Sequence, residues 1–367
     1  MTPRVGLYVT ELRLADFRSF EQLVVRPSSG VTVFVGANAA GKTNTVEALQ
    51  LLTAGQSFRR PTPSQLVREG AESARIDARL EGDGRVVDVR CDVAPGKRRF
   101  SRNGKRIQAS EMPESLMSVL FTPDDLAIVK RGAAVRRAEL DDFGCQANRG
   151  YANVLTTYQR SVEQRNRLLK EEVVDTSLLA AWDASVALGG ATLLAARLRL
   201  FSRLAEKVAA VYATVSGGER LSCSYVCTLG EDLDDLSRDE LRDLFLERLE
   251  AARADDLRRG QTTAGPHRDD VVFSIEGRDA RAYGSQGQQR SVALALKMAE
   301  VELAAEILGS TPLLLLDDVM SELDEARREA AMGFVSGGIQ TVITTTNLGY
   351  FSPALLDSAE VVSFGDK

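Results

Sequence analysis

The sequence is poor in the residues that build metal and disulfide sites, with one histidine and four cysteines among 367 residues. Cys91, Cys145, Cys223 and Cys227 show no metal-ligand spacing, which excludes a zinc module. They read as buried or free thiols of a reducing compartment. Long hydrophobic runs are missing too, none approaching the roughly 20 residues that cross a bilayer. Residues 1–20 carry charges throughout and lack the apolar centre of a signal peptide. The expectation is a soluble, cytoplasmic protein with no membrane partner. An excess of positive charge is also absent, since the net charge is −6, so a uniform coat for nucleic acid is excluded. The charge is nevertheless uneven. Residues 56–137 hold 17 Lys and Arg against 11 Asp and Glu, and the remainder holds 29 against 41. A basic module on an acidic body allows either local phosphate binding or an ordinary solvated face.

What the chain does have is Gly36-Ala37-Asn38-Ala39-Ala40-Gly41-Lys42-Thr43, placed after an apolar run at 31–35. Asn44 and a helical stretch through Leu49 follow. Strand, glycine-bounded loop and helix start have the spacing of a P-loop. The glycines let the backbone wrap a phosphate, and N–H groups at the helix start point at the anion. Lys42 would reach the β- and γ-phosphates of a nucleoside triphosphate, and the Thr43 hydroxyl would take Mg²⁺.

The surrounding pattern predicts a head in two pieces. Short strands precede the P-loop, and β-rich sequence follows it at 73–80 and 85–93. A hairpin is centred on Asn103-Gly104, the strongest short hairpin signal. Lys97, Arg98, Arg99, Arg102, Lys105 and Arg106 crowd onto it. After a strand at 118–121 the character turns helical, with helices near 133–145, 150–171, 177–215 and 237–258. The longest shows no heptad repeat, so a compact lobe is expected rather than a coiled coil. From Gly265-Pro266 the α/β pattern returns. Continuous apolar runs there match strands covered on both faces. Residues 1–125 and 260–367 therefore form one α/β domain, with 126–259 as a helical insert.

The strand at 313–316 closes on Asp317-Asp318, the companion a P-loop needs. Asp317 would complete the Mg²⁺ shell. Asp318 is placed to position or deprotonate a water. Their plain alternative is a helix-capping or solvated acid pair.

Several further stretches carry a resemblance. Ser285-Gln286-Gly287-Gln288-Gln289-Arg290 resembles the signature motif of ABC-type ATPases, and Ser321-Glu322-Leu323-Asp324 their D-loop. Phe17-Arg18-Ser19-Phe20, Gly41-Lys42-Thr43-Asn44, Tyr158-Gln159-Arg160, Gln164-Arg165-Asn166 and Gly265-Pro266-His267-Arg268-Asp269-Asp270 narrow it. Together they span the chain and are similar to the RecF family of SMC-like ABC-type ATPases. The resemblance implies an ABC-type head with a mixed sheet and a β-rich N-terminal subdomain, plus an inserted helical lobe. It implies ATP with Mg²⁺ held through Thr43 and Asp317, with Lys42 and Asp318 catalytic. Ser285, Gln286, Gly287 and Gln288 would act on the ATP of a second copy, with Ser321 and Asp324 beside them. It further implies an ATP-dependent homodimer on duplex and gapped DNA, working with RecR, RecO and RecA.

Two departures from ABC ATPases in general predict slow hydrolysis. Asp318 stands where a longer glutamate is usual, and residues 341–347 offer hydroxyls and an amide where a switch histidine is expected. The Q-loop has only the turn at 121–125 as its positional candidate. DNA contacts would fall on the hairpin cations or on Lys130, Arg131, Arg136 and Arg137, and would be to phosphate. For each cation the alternative is a solvated surface charge. Arg18, Arg59 and Arg60 are candidates to flank the nucleotide. Three other functions compete: a transporter ATPase, disfavoured by the missing histidine; an SMC-like DNA tether, which needs a long coiled coil; and a small-molecule kinase, which needs no signature.

Overall fold

The computed structural model describes residues 6–365 except 232, 234 and 336. The chain divides into two compact units, one running to Leu126 and resuming at Ala293, the other Ala127–Val292.

The head unit opens with β1 (Tyr8–Phe17), β2 (Phe20–Val25) and β3 (Val31–Gly36), which feeds α1 (Lys42–Ala54). A helical turn, α2 (Pro63–Leu66), leads into β4 (Ala74–Gly82), β5 (Arg85–Ala94), β6 (Lys97–Arg102), β7 (Lys105–Ile107) and β8 (Ser118–Phe121). The lobe then runs α3 (Ala133–Ala147), α4 (Arg149–Leu168), α5 (Thr176–Ser216), β9 (Leu221–Val226), α6 (Arg238–Arg259), β10 (Asp270–Ile275), β11 (Arg278–Asp279) and α7 (Ala280–Tyr283). The unit boundary falls inside α8 (Gln286–Leu308). The head resumes with β12 (Leu313–Asp317), α9 (Glu325–Val335), β13 (Thr341–Thr345), α10 (Pro353–Ser358) and β14 (Glu360–Phe364).

The head strands form two sheets. An antiparallel meander has the order β2-β1-β4-β5-β6-β7, and a parallel sheet the order β14-β3-β13-β12-β8. Strands β3, β8, β12 and β13 of the parallel sheet are buried along most of their length, as a sheet covered on both faces requires, while the edge strand β14 is largely exposed. Helix α1 is buried at eleven of its thirteen positions, which fits an element packed on all sides rather than an amphipathic one. Its Val46, Leu49, Leu51 and Leu52 share one core with Leu12, Ile76 and Cys91 of the meander and with Leu313, Leu315 and Val342 of the parallel sheet. That wedge fixes the P-loop at the C-terminal ends of β3, β12 and β13.

In the lobe, α5 runs 41 residues and is long and apolar enough to cross a membrane by length and composition alone. It packs instead: Val186, Ala187, Leu193 and Leu194 lie in one core with Tyr158 of α4 and Phe245 of α6. The sequence-based return to the head at 260 comes too early. Residues 260–292 cluster with the lobe because β10 pairs along its length with β9 and Arg136 of α3 holds Asp270. The apolar alternation that signals β10 is the same for either sheet, so sequence could not assign it.

Candidate nucleotide site

The loop between β3 and α1 is built around two glycines. A Cβ on Gly36 would approach the Phe364 carbonyl oxygen at 2.5 Å. Gly41 has φ of 102°, and a Cβ there would meet the Phe20 ring at 2.4 Å. This gives Phe20 of the Phe17–Phe20 turn a packing role against the loop. Ala39 also takes the left-handed conformation. No side chain caps the N-terminus of α1, so its first N–H groups are left facing the loop. Lys42 is buried, and its Nζ donates to the carbonyls of Gly36 (2.7 Å) and Ala37 (2.8 Å) within the same loop.

The acid pair stands opposite. Thr43 Oγ1 donates to Asp317 Oδ1 at 2.9 Å, and Thr344 Oγ1 donates to the same oxygen at 2.8 Å. Thr344 also accepts from the Asp318 backbone N–H at 2.9 Å. The hydroxyl near the end of β13 therefore orients the Asp317 carboxylate and fixes the Asp318 backbone. Asp318 adopts a left-handed backbone at the strand end, and among the described residues its buried Oδ1 accepts no hydrogen bond. Burial raises both carboxyls above their usual range; Thr344 and Thr43 oppose this at Asp317, and the Lys42 charge opposes it at Asp318.

These residues fit a magnesium triphosphate. A hydroxyl and a carboxylate 2.9 Å apart offer two hard oxygen ligands for Mg²⁺. The unpartnered Asp318 oxygen, the Lys42 ammonium and the uncapped helix start converge on the loop between them. Bound metal would supply charge neutralisation for the phosphates.

Other expected positions fall out differently. Arg18 and Arg59 are held by Glu47, a wholly buried α1 residue that sequence gave no reason to single out. Arg18 binds it bidentately at 2.9 and 2.7 Å, and Arg59 also donates to Asn44 Oδ1 at 2.9 Å. They brace the P-loop helix, with Arg59 and Asn44 beside Thr43. Ser321 Oγ donates to the Asp318 carbonyl at 2.8 Å, so the D-loop folds back on the acid pair. Asp324 accepts from the Arg327 N–H and pairs with its guanidinium at the start of α9. The turn after β8 is closed by Asp125, which accepts from N and Oγ1 of Thr122, and contains no glutamine.

The signature lies in the lobe unit. Ser285 is exposed and forms a capping box with Gln288, each side chain accepting from the other's N–H, at 3.1 and 2.9 Å. Gln286 is exposed, Gly287 half-buried, and Gln289 is buried with its amide on the Ala280 carbonyl. His267 donates no charge to any of this. It contacts the Tyr158 hydroxyl at 2.6 Å and the Thr262 carbonyl at 3.0 Å, and burial pushes its pKa down to about 4.

The cations sort into two groups. Lys97, Arg99, Lys105 and Arg106 are exposed, Arg98 is half-buried, and none of the five makes an ion pair among the described residues. Lys97, Arg98, Arg99 and Arg106 line a groove of about 800 Å³. Arg102 of the same hairpin is instead held by the Glu111 carbonyl and Glu114. In the lobe Lys130 and Arg131 are exposed. Arg136 is buried in a bidentate pair with Asp270, and Arg137 donates to the Asp269 carbonyl. Arg102, Arg136 and Arg137 are therefore committed within the fold; charge alone could not separate them from their neighbours.

Comparison with known proteins finds relatives across nearly the whole chain. Residues 8–363 match the family model for the RecF/RecN/SMC N-terminal domain. The chain is 38% identical over 340 residues to the DNA replication and repair protein RecF of Desulforudis audaxviator, covering 92% of this chain and 93% of the relative. It is 35% identical to that of Gloeobacter violaceus, covering 97% and 96%. A solved structure of the recombination mediator protein RecF-ATPrS in the RecFOR pathway superposes with a TM-score of 0.89 at 31% identity, covering 96% of each chain. An Smc head from Pyrococcus furiosus, 19% identical with a TM-score of 0.54 over 93% and 90%, shares the fold. Across nearly its whole length, the chain belongs to the RecF family.

Proposed function

We propose that this chain is an ATP-dependent DNA-binding recombination mediator whose two copies close around ATP. The observation that carries the reading is the split of the chemistry between units. The head supplies the loop, Lys42, Thr43, Asp317 and an Asp318 oxygen with no internal partner. The lobe supplies an exposed serine whose hydroxyl accepts from Gln288 N–H and so keeps its own proton free for an anion. In this reading Lys42 turns from its loop carbonyls to the β- and γ-phosphates, and Thr43 and Asp317 hold Mg²⁺. Ser285 and the α8 N-terminus of a second copy reach the γ-phosphate. Asp318 accepts the proton of the attacking water. One methylene shorter than glutamate, it reaches that water less well, so hydrolysis is slow and serves to release the dimer.

The dimer would engage duplex DNA near single-strand gaps and, with RecR and RecO, promote RecA loading. Relatives named as DNA replication and repair proteins and as members of the RecFOR pathway support this assignment. The unpaired Lys97, Arg98, Arg99, Lys105 and Arg106 are the favoured phosphate contacts, with Lys130 and Arg131 secondary. An SMC-like tether is disfavoured because α5 packs into the lobe core rather than extending as a coiled coil.

Sedimentation of the protein with and without ATP, Mg²⁺ and duplex DNA tests the proposal. ATP should double the mass and Ser285→Arg should block the change. A wild-type chain that stays monomeric and ignores DNA overturns it.

A further inference from the structure

The signature serine is braced by a residue outside any motif. Glu219 sits in the turn between α5 and β9, just after Gly217 and Gly218, which take φ of 75° and 111°. These left-handed positions swing the chain off the end of α5 and bring the Glu219 carboxylate beside the start of α8. Its two oxygens are divided. Oε2 accepts from the hydroxyl of Tyr212 at 2.8 Å, and Tyr212 is wholly buried on α5. Oε1 accepts from Gln288 Nε2 at 2.8 Å.

We infer that Glu219 is a positioning residue that sets the orientation of Ser285 through Gln288. The amide of Gln288 can face two ways, and only one puts Oε1 on the Ser285 N–H. A carboxylate accepts and cannot donate, so Glu219 admits only the Nε2-toward-Glu219 orientation. That orientation completes the capping box, in which Ser285 Oγ accepts from Gln288 N–H. With its lone pair so used, the serine proton is directed away from the helix toward an incoming anion. The line Tyr212–Glu219–Gln288–Ser285 thus ties an exposed hydroxyl to a buried side chain of the longest helix in the lobe. Without Glu219, Gln288 is free to flip or rotate, and the serine loses its fixed direction.

The inference rests on the proposed two-copy site, and the experiment separates the two. ATP affinity is measured with a fluorescent ATP analogue at concentrations where the protein is monomeric, and ATP-driven dimerisation by sedimentation. Glu219→Ala should leave monomer affinity unchanged and weaken dimerisation about ten- to a hundredfold, the range of a lost hydrogen bond to a charged group. Glu219→Gln keeps an acceptor for Gln288 but can also donate to a flipped amide, so it should fall between wild type and Glu219→Ala. Gln288→Ala should match Glu219→Ala, and the double variant should add little to either. A wild type that fails to dimerise overturns the two-copy site and the brace with it. A wild type that dimerises alongside an unimpaired Glu219→Ala, or a double variant whose loss is the full sum of the two single losses, overturns the brace alone.

Discussion

The nucleotide site of the head and the core of the lobe bury charge in opposite ways. In the lobe, buried charges meet one another. Arg165, fully buried, donates to Asp183 at 2.6 Å, to Asp256 at 2.7 Å and to Thr262 at 2.9 Å. Arg197 grips Asp141 bidentately at 2.9 and 2.7 Å and also holds the Pro266 carbonyl. In the head, Lys42, Asp317 and Asp318 share one site yet make no ion pair with each other. Among the described residues Lys42 Nζ hydrogen-bonds only to loop carbonyls, the Asp317 carboxylate only to hydroxyls, and Asp318 keeps a buried oxygen unpartnered. A buried charge is costly unless paired, so an arrangement that leaves buried Lys42 and Asp317 and half-buried Asp318 without ion pairs in one loop system is directed at a ligand. The lobe's charges are spent on its own architecture.

The sharpest way to break that contrast is to cut one charge from each side. Arg165→Met leaves Asp183 and Asp256 buried without their cation. The lobe's unfolding transition in urea should lose about 3–5 kcal/mol, the usual cost of breaking a buried pair. ATP affinity should not change. Lys42→Met should do the reverse, lowering ATP affinity about a hundredfold by calorimetry while leaving the lobe's transition in place. If Arg165→Met weakened ATP binding and Lys42→Met mainly weakened folding, the division would be wrong.

Much of this was legible in the sequence, for reasons that can be named. The P-loop has fixed spacing because a phosphate has fixed size, and 313–318 announces itself as an apolar strand ending in acids. The helices of the lobe followed from pattern, and α3, α4, α5 and α6 lie within a few residues of their expected bounds. What stayed hidden depends on partners distant in the chain. Glu47 looks like any helical glutamate until Arg18 and Arg59 close on it. Thr344 was visible only as a missing histidine, although its hydroxyl organises both aspartates. Arg99 and Arg102 sit three residues apart on one hairpin, and only Glu114 and the Glu111 carbonyl tell the committed cation from the free one.

His267 sharpens the comparison through pH. Its pKa falls from 6.5 to about 4 because burial disfavours the imidazolium. The depressed value means that the unfolded chain binds a proton first as pH falls. His267 therefore imposes no penalty above about pH 6.5, and stability is lost progressively from there to about pH 4. At pH 5 the loss should be about 2 kcal/mol, at 1.36 kcal/mol per pH unit. Between pH 7.5 and pH 5 the unfolding free energy from urea titration should fall further for wild type than for His267→Gln by that amount. Equal falls in the two proteins would show that the imidazole is not held neutral.

The smallest effect carries the opposite sign. Asp318 has a raised pKa, so its contribution favours folding below the unfolded value and turns unfavourable as pH rises through the folded one. At pH 7 the ionised carboxylate is a cost that the fold carries for its ligand. Asp318→Asn should then stabilise the ligand-free head by about half a kcal/mol, a figure kept low because the side chain is partly solvent-exposed. The gain should shrink as pH falls toward the carboxylate range, and ATP hydrolysis should drop by orders of magnitude. No paired charge in the lobe should behave this way, since neutralising Asp183 or Asp256 strands Arg165. A ligand-free head that loses stability with Asp318→Asn would mean that the carboxylate has an internal partner after all, and the distinction between the two units would close at its most sensitive point.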